Sequence, residues 1–139
     1  MILPYKITLE KLSKIEKNYK WPKHFCEKCR RNMWGHGYVA RYFTAILNSV
    51  FLKRYRCPGC RVVVVFRPEG HWPRIRSSIS IIYGALQSKL SRGHWPSWVP
   101  RQRGGHWLNR FVRFARMETK TSLGSFLDHC YLKEIRFFP

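Results

Sequence analysis

Two cysteine pairs, Cys26-Glu-Lys-Cys29 and Cys57-Pro-Gly-Cys60, stand 27 residues apart and are the residues of this chain best suited to chemistry. Two residues between ligands allow a tight turn that aims both sulfurs at one ion, and four thiolates make a tetrahedral set for a single Zn2+. Pro58 and Gly59 suit such a turn. Lys28, Arg30, Arg31, Arg56 and Arg61 flank the pairs and offset the negative charge of the thiolates. With every coordination position filled by protein, the expected ion is structural and not catalytic.

The remaining chemically able side chains form no second pattern. Cys130, beside His129, has no partner in the sequence and reads as a buried or incidental thiol. His36, in Trp34-Gly35-His36-Gly37, reads as a turn residue or a phosphate contact, and His71, His94 and His106 as packing or surface residues. The acids Glu10, Glu16, Glu27, Glu69, Glu118, Asp128 and Glu134 are scattered, so no carboxylate cluster for metal-assisted phosphoryl transfer is expected. The chain is therefore expected not to be an enzyme and to take no small-molecule substrate.

Charge narrows the partner. Against 27 Lys and Arg the chain of 139 residues has 7 Asp and Glu, a net charge of +20. Such an excess repels itself in a compact state and suits a polyanion. At 45% hydrophobic and 16% aromatic, the chain has ample material for a core. Residues 1–25 carry six Lys against two Glu, 26–66 eight basic residues against one acid, and 67–117 ten against one. The segment 118–139 is neutral, with Lys120, Lys133 and Arg136 against Glu118, Asp128 and Glu134. The apolar runs Val62–Phe66 and Ile81–Leu86 are too short to span a bilayer, so no membrane role is expected. The start, MILPYKITLEKLSK, has no apolar signal core, which suits thiols bound to metal in a reducing compartment. Location in the cytoplasm, on the nucleoid, is the expectation.

The elements that would position these residues divide the chain into four stretches. Residues 1–23 read as a basic arm or a short amphipathic helix, with Ile7, Leu9, Leu12 and Ile15 near one stripe. Residues 24–70 read as the ribbon: strands over Gly37–Leu47, Val50–Arg56 and Arg61–Phe66, with Asn48-Ser49 as a turn. Residues 71–117 read as two helices. Ile75, Ile79, Ile82, Leu86 and Leu90 mark the first, over 75–91, with Ser77 or Ser78 as its cap and Gly93 beyond its end. Trp107, Leu108, Phe111, Val112 and Ala115 mark the second, over 101–117, although Gly104-Gly105 costs about 2 kcal/mol relative to alanine inside a helix. A later start would leave Arg101–Arg103 on the turn. Residues 118–139 form a tail expected to pack back on the core or to dock a partner protein. The expected fold is thus small α+β: a three-stranded four-cysteine zinc ribbon followed by a helix-turn-helix-like unit. Gly-His-Trp recurs at 70–72, 93–95 and 105–107 without a common period, so it is no solenoid repeat.

A helix with an apolar rear and an arginine-rich front suits the major groove. Arg101, Gln102, Arg103 and His106, in the first turns, would reach base edges, and Arg110 and Arg113 phosphates. Arg30, Arg31, Arg41, Arg54 and Arg56 are the candidate contacts of the ribbon. The six Trp could stack on bases, but most precede Pro or fall at helix-core positions, so packing is the simpler expectation.

Taken together, HFCEKCRRNMWGHGYVARYF, LKRYRCPGCRVVVVFRPEGHWPR and RQRGGHWLNRF resemble the N-terminal DNA-binding region of bacterial insertion-sequence transposases, over about residues 24–115. That resemblance implies Cys26, Cys29, Cys57 and Cys60 as zinc ligands and places Arg101, Arg103, His106 and Arg110 on a reading helix. The catalytic domain of such transposases, with its three carboxylates, has no counterpart here. The implied partner is duplex DNA, with a transposase or other protein as a further partner through the tail. Two alternatives stay open: an RNA-binding zinc-ribbon protein, and a four-cysteine redox protein. The cysteine spacing of the latter resembles rubredoxin, although rubredoxin-like carriers are acidic.

Overall fold

β-branched and aromatic side chains crowd the segments around and between the cysteine pairs, and these favour a pleated, half-buried surface. The computed structural model, which describes residues 1–118 and 122–137, gathers them into one sheet. Its strands are β1 (Ile2–Tyr5), β2 (Trp34–Arg41), β3 (Val50–Arg56) and β4 (Val63–Pro68), in the order β1-β4-β3-β2. β2, β3 and β4 run as an antiparallel meander. β1 joins parallel to β4, with Ile2 beside Val65 and Tyr5 beside Pro68. The sheet therefore has four strands where three were expected. A four-residue strand is too short to display alternation, and its pairing is with residues about sixty positions away. It covers an otherwise open edge of β4, and the Met1 ammonium donates to the Val63 carbonyl at 2.7 Å.

The same N-terminal stretch also holds α1 (Leu9–Ile15), begun by the Thr8 hydroxyl accepting from the Lys11 amide. Arm and helix were alternatives from sequence; the segment is a strand and then a helix. Leu9 and Leu12 of α1 are buried with Ile7, Phe43, Val50 and Leu52 in one core cluster. A second cluster holds Cys26, Met33, Tyr55, Cys57, Val64 and Phe66. Tyr5 and Trp21 pack against both, and the Trp21 ring lies nearly parallel to Phe66 with centroids 5.9 Å apart. These elements form a first compact unit, Met1–Ser77.

The second unit, Ser78–Pro139, is helical among its described residues: α2 (Ile79–Arg92), α3 (Arg101–Glu118) and α4 (Leu123–Leu132). Ser78 caps α2, and Gly93 ends it in the left-handed conformation, φ 78°. α2 starts later than its apolar period suggested, because Ile75 belongs to a turn in which its amide donates to the Trp72 carbonyl. α3 starts at Arg101 and runs through both glycines. At Gly104 the Trp95 ring lies so close that a Cβ would stand 2.7 Å from it. That close approach is what glycine permits here.

Ser122 caps α4, whose Phe126, Leu127 and Cys130 are buried. Phe111 of α3 stacks on Phe126 at 5.8 Å and meets Phe137 edge-on at 5.2 Å. The described part of the tail thus packs into the helical core. Lys120, counted in the neutral tail, lies outside the described residues. The fold is small α+β, a four-stranded sheet and four helices among the described residues. No helix among them is long and apolar enough to cross a membrane.

Candidate metal centre

Each cysteine pair sits in the same backbone device. In the first, the Cys26 amide donates to the Arg31 carbonyl at 2.9 Å and the Arg30 amide returns to the Cys26 carbonyl at 2.7 Å. In the second, Cys57 donates to Val62 at 3.0 Å and Arg61 returns to Cys57 at 3.1 Å. The residue after the second cysteine has positive φ both times, 52° at Arg30 and 60° at Arg61. Two matching knuckles therefore face one another, one leading into β2 and the other joining β3 to β4.

The four Sγ atoms all lie within 4.8 Å of one another, and Cys26 and Cys60 approach to 3.5 Å. Four sulfurs at about 2.3 Å from a tetrahedral ion are about 3.8 Å apart, so the set fits one metal ion. The cysteines are free thiols, and 3.5 Å is far beyond the length of a disulfide, about 2.05 Å. Cys26 and Cys57, first in each knuckle, are buried; Cys29 is half-buried and Cys60 exposed.

Local electrostatics prepare the thiolates unequally. The Cys60 amide, followed by that of Gly59, pulls the Cys57 thiol down to about 7 against the opposing push of burial. The hydrogen bond with Cys60, then burial, drives Cys29 up to about 11. A cation among the sulfurs replaces the protons they would otherwise share. Arg31 lies along the second knuckle: a Cβ on Gly59 would meet its Cδ and Nη1, and the Cys29 Sγ, at 3.5 Å. Its cation thus stands beside the sulfur cluster.

The other candidate residues take several positions. Arg30, Arg41 and Arg56 are exposed on the first unit, and Arg54 is half-buried on β3. On α3, Arg101, Gln102, Arg103, His106 and Arg113 are exposed, and Arg110 is half-buried. Trp107, Phe111 and Ala115 are its buried side. Among the histidines, the His71 ring bonds the Glu69 carbonyl at 3.0 Å, and burial pushes its pKa down. Cys130 is fully buried, with its thiol pushed up by burial.

Sequence reasoning passed over Arg67. It is 5% exposed, lies 5.1 Å over the Phe43 ring and donates to the Ile75 carbonyl. Burial, then Arg41, holds its pKa down to about 10. No local signal marks it, since it ends an apolar run that seemed to close at Phe66. Packing was right for Trp21, Trp72, Trp95 and Trp107, which are buried or half-buried, but Trp34 and Trp98 are exposed. No protein-family model, curated protein or solved structure matches this chain.

Proposed function

We propose that this chain is a non-enzymatic DNA-binding protein of mobile-element descent, working in the cytoplasm on the nucleoid. One structural Zn2+ on Cys26, Cys29, Cys57 and Cys60 holds a zinc ribbon, and α3 acts as the recognition helix of a helix-turn-helix-like pair with α2. Zinc is favoured over iron because the cation-rich surroundings suit a site of fixed charge that stays closed. The observation that carries the DNA reading is the face of α3. It exposes Arg101, Gln102, Arg103, His106 and Arg113 while its opposite side is anchored by Trp107 and Phe111. A single acidic residue, Glu69, lies between Lys28 and Met117, and Glu118 at the end of α3 is the one acid of that helix. A basic helix face projecting from a packed helical unit can follow the major groove, with arginines on base edges and phosphates.

The test is titration of a labelled duplex across a salt series, with a matched structured RNA alongside. Neutralising about 6–8 phosphates gives a log–log salt slope of about −5 to −7. The double variant R103A/R113A should flatten that slope by about 1, through the phosphate contact of Arg113, and relax base preference through Arg103, while leaving the helical content unchanged. A salt-independent curve, or tighter binding of the RNA, would sink the duplex reading. Metal analysis checks the ion: about one zinc per chain is expected from one four-thiolate site, and a red iron form would turn the reading toward redox chemistry.

A further inference from the structure

Strand register gathers a second set of groups on the ribbon. Phe25 is bridged to Asn32, Trp34 is paired with Arg56, and Arg54 lies two positions before Arg56 on β3. Side chains two apart on a strand share a face, and direct partners share it too. Phe25, Asn32, Trp34, Arg54 and Arg56 therefore line the open end of one face, whose other end, Val50 and Leu52, is buried with α1; they lie opposite Met33, Tyr55 and Val64, which are buried with the cysteines. The rings on this outer face are open to solvent: Phe25 is 58% and Trp34 68% exposed. Arg54 and Arg56 share that face, and Glu27, two residues after Phe25, is the one acid between Lys17 and Pro68. Nε of Arg54 is a buried donor without a partner.

We infer that this outer face of the ribbon binds single-stranded nucleic acid, with Phe25 and Trp34 stacking on unpaired bases and Arg54 and Arg56 holding the backbone. The inference rests on the nucleic-acid reading above and adds a second surface with a different preference. In a duplex the faces of bases are hidden in the stack, so exposed rings gain little there. An unpaired strand offers a π-face at every base, and cationic neighbours meet its phosphates. A protein strand adding to the edge of β2 is a poorer occupant. That edge is interrupted by a bulge between Gly35 and Tyr38, with Gly37 at φ 70°.

The test uses the full metal-loaded chain with a labelled oligothymidine and a labelled duplex of equal length. F25A/W34A should weaken oligothymidine binding about tenfold or more and leave duplex binding within about twofold. R103A/R113A should do the reverse. W34L keeps apolar bulk without a π-face and should lose single-strand affinity, whereas W34F should retain most of it. These two single variants decide the matter if the double variant loses its metal. Unchanged oligothymidine affinity in W34L, with duplex binding intact, overturns this inference alone. Equal losses on both probes in W34L overturn it as well, and a wild-type chain that binds neither probe overturns both readings.

Discussion

In the sheet-bearing unit, residues 1–77, one of the two core clusters is built on the cysteines themselves, with Cys26 and Cys57 among its buried members. In the helical unit, residues 78–139, buried rings take that place: Phe111 against Phe126 and Phe137, and Tyr83 against Phe137. The contrast follows from material. In the first unit that cluster is centred on sulfurs, and a metal ion bound there would staple the short strands together. The helical unit has an aromatic seam in place of such a site. A chain can thus carry one unit whose folding depends on metal and another whose folding does not.

The largest expected effect breaks the comparison most directly. A structural zinc, if it is the ion these four sulfurs hold, would contribute about 10–16 kcal/mol of apparent binding free energy, as much as the whole stability of a small domain. A strong chelator, or Cys57→Ser, should collapse the amide dispersion of residues 1–77 in NMR spectra. The helical signal of α2, α3 and α4 should persist. A sheet that survives chelation would end the distinction. Acid should act like the chelator. With the Cys57 thiol at about 7 and Cys29 at about 11 before a cation enters, metal binding between those values displaces protons. Affinity therefore rises with pH through that window and falls toward acid, which cobalt–thiolate absorbance would follow.

Phe111→Ala is the counterpart in the other unit. Removing a fully buried ring costs about 3–5 kcal/mol, so α2, α3 and α4 should melt earlier while the metal content stays the same. Gly104→Ala is smaller and tests the close contact with Trp95. Helix propensity would favour alanine by about 1 kcal/mol, but the added Cβ meets the Trp95 ring at 2.7 Å, and overpacking costs about 1–3 kcal/mol. Thermal melts should show net destabilisation. The smallest effect is expected of Arg61→Gly. A left-handed residue other than glycine costs about 1–2 kcal/mol, partly offset by the greater chain entropy of glycine. Metal retention under chelator should shift by under about 1 kcal/mol, and Arg61→Asn, which loses the same cation but keeps a side chain at positive φ, separates the backbone gain from the lost charge.

How much was legible in advance depended on range. The four cysteines could be read because each knuckle is local, two residues wide, and only the meeting of two knuckles is tertiary. β3 matched its expected bounds, Val50–Arg56, because its β-branched and aromatic residues mark it locally. β1 was not legible, since its partner strand lies far along the chain. Arg67 was not, because an arginine closing an apolar run looks like any strand end until Phe43 and the Ile75 carbonyl surround it. The left-handed turns at Arg30 and Arg61 carried no glycine to announce them.

Gly-His-Trp, present three times, shows where the division falls. Composition and spacing determined the candidate metal-ligand set, the excess of cations and the apolar face of α3, because each is a count or a short-range period. Context alone decided what each tripeptide does. Gly70 has φ 73° in a turn and leads to a buried Trp72. Gly93 caps α2 and leads to Trp95, whose ring lies over Gly104, while Gly105 is helical and precedes the buried Trp107. The same three residues meet different neighbours, and burial is a property of the neighbours. Whether a tryptophan fills a core, as Trp107 does, or stands open beside an arginine, as Trp34 does, is settled by strand register and helix packing, which no short stretch of chain contains.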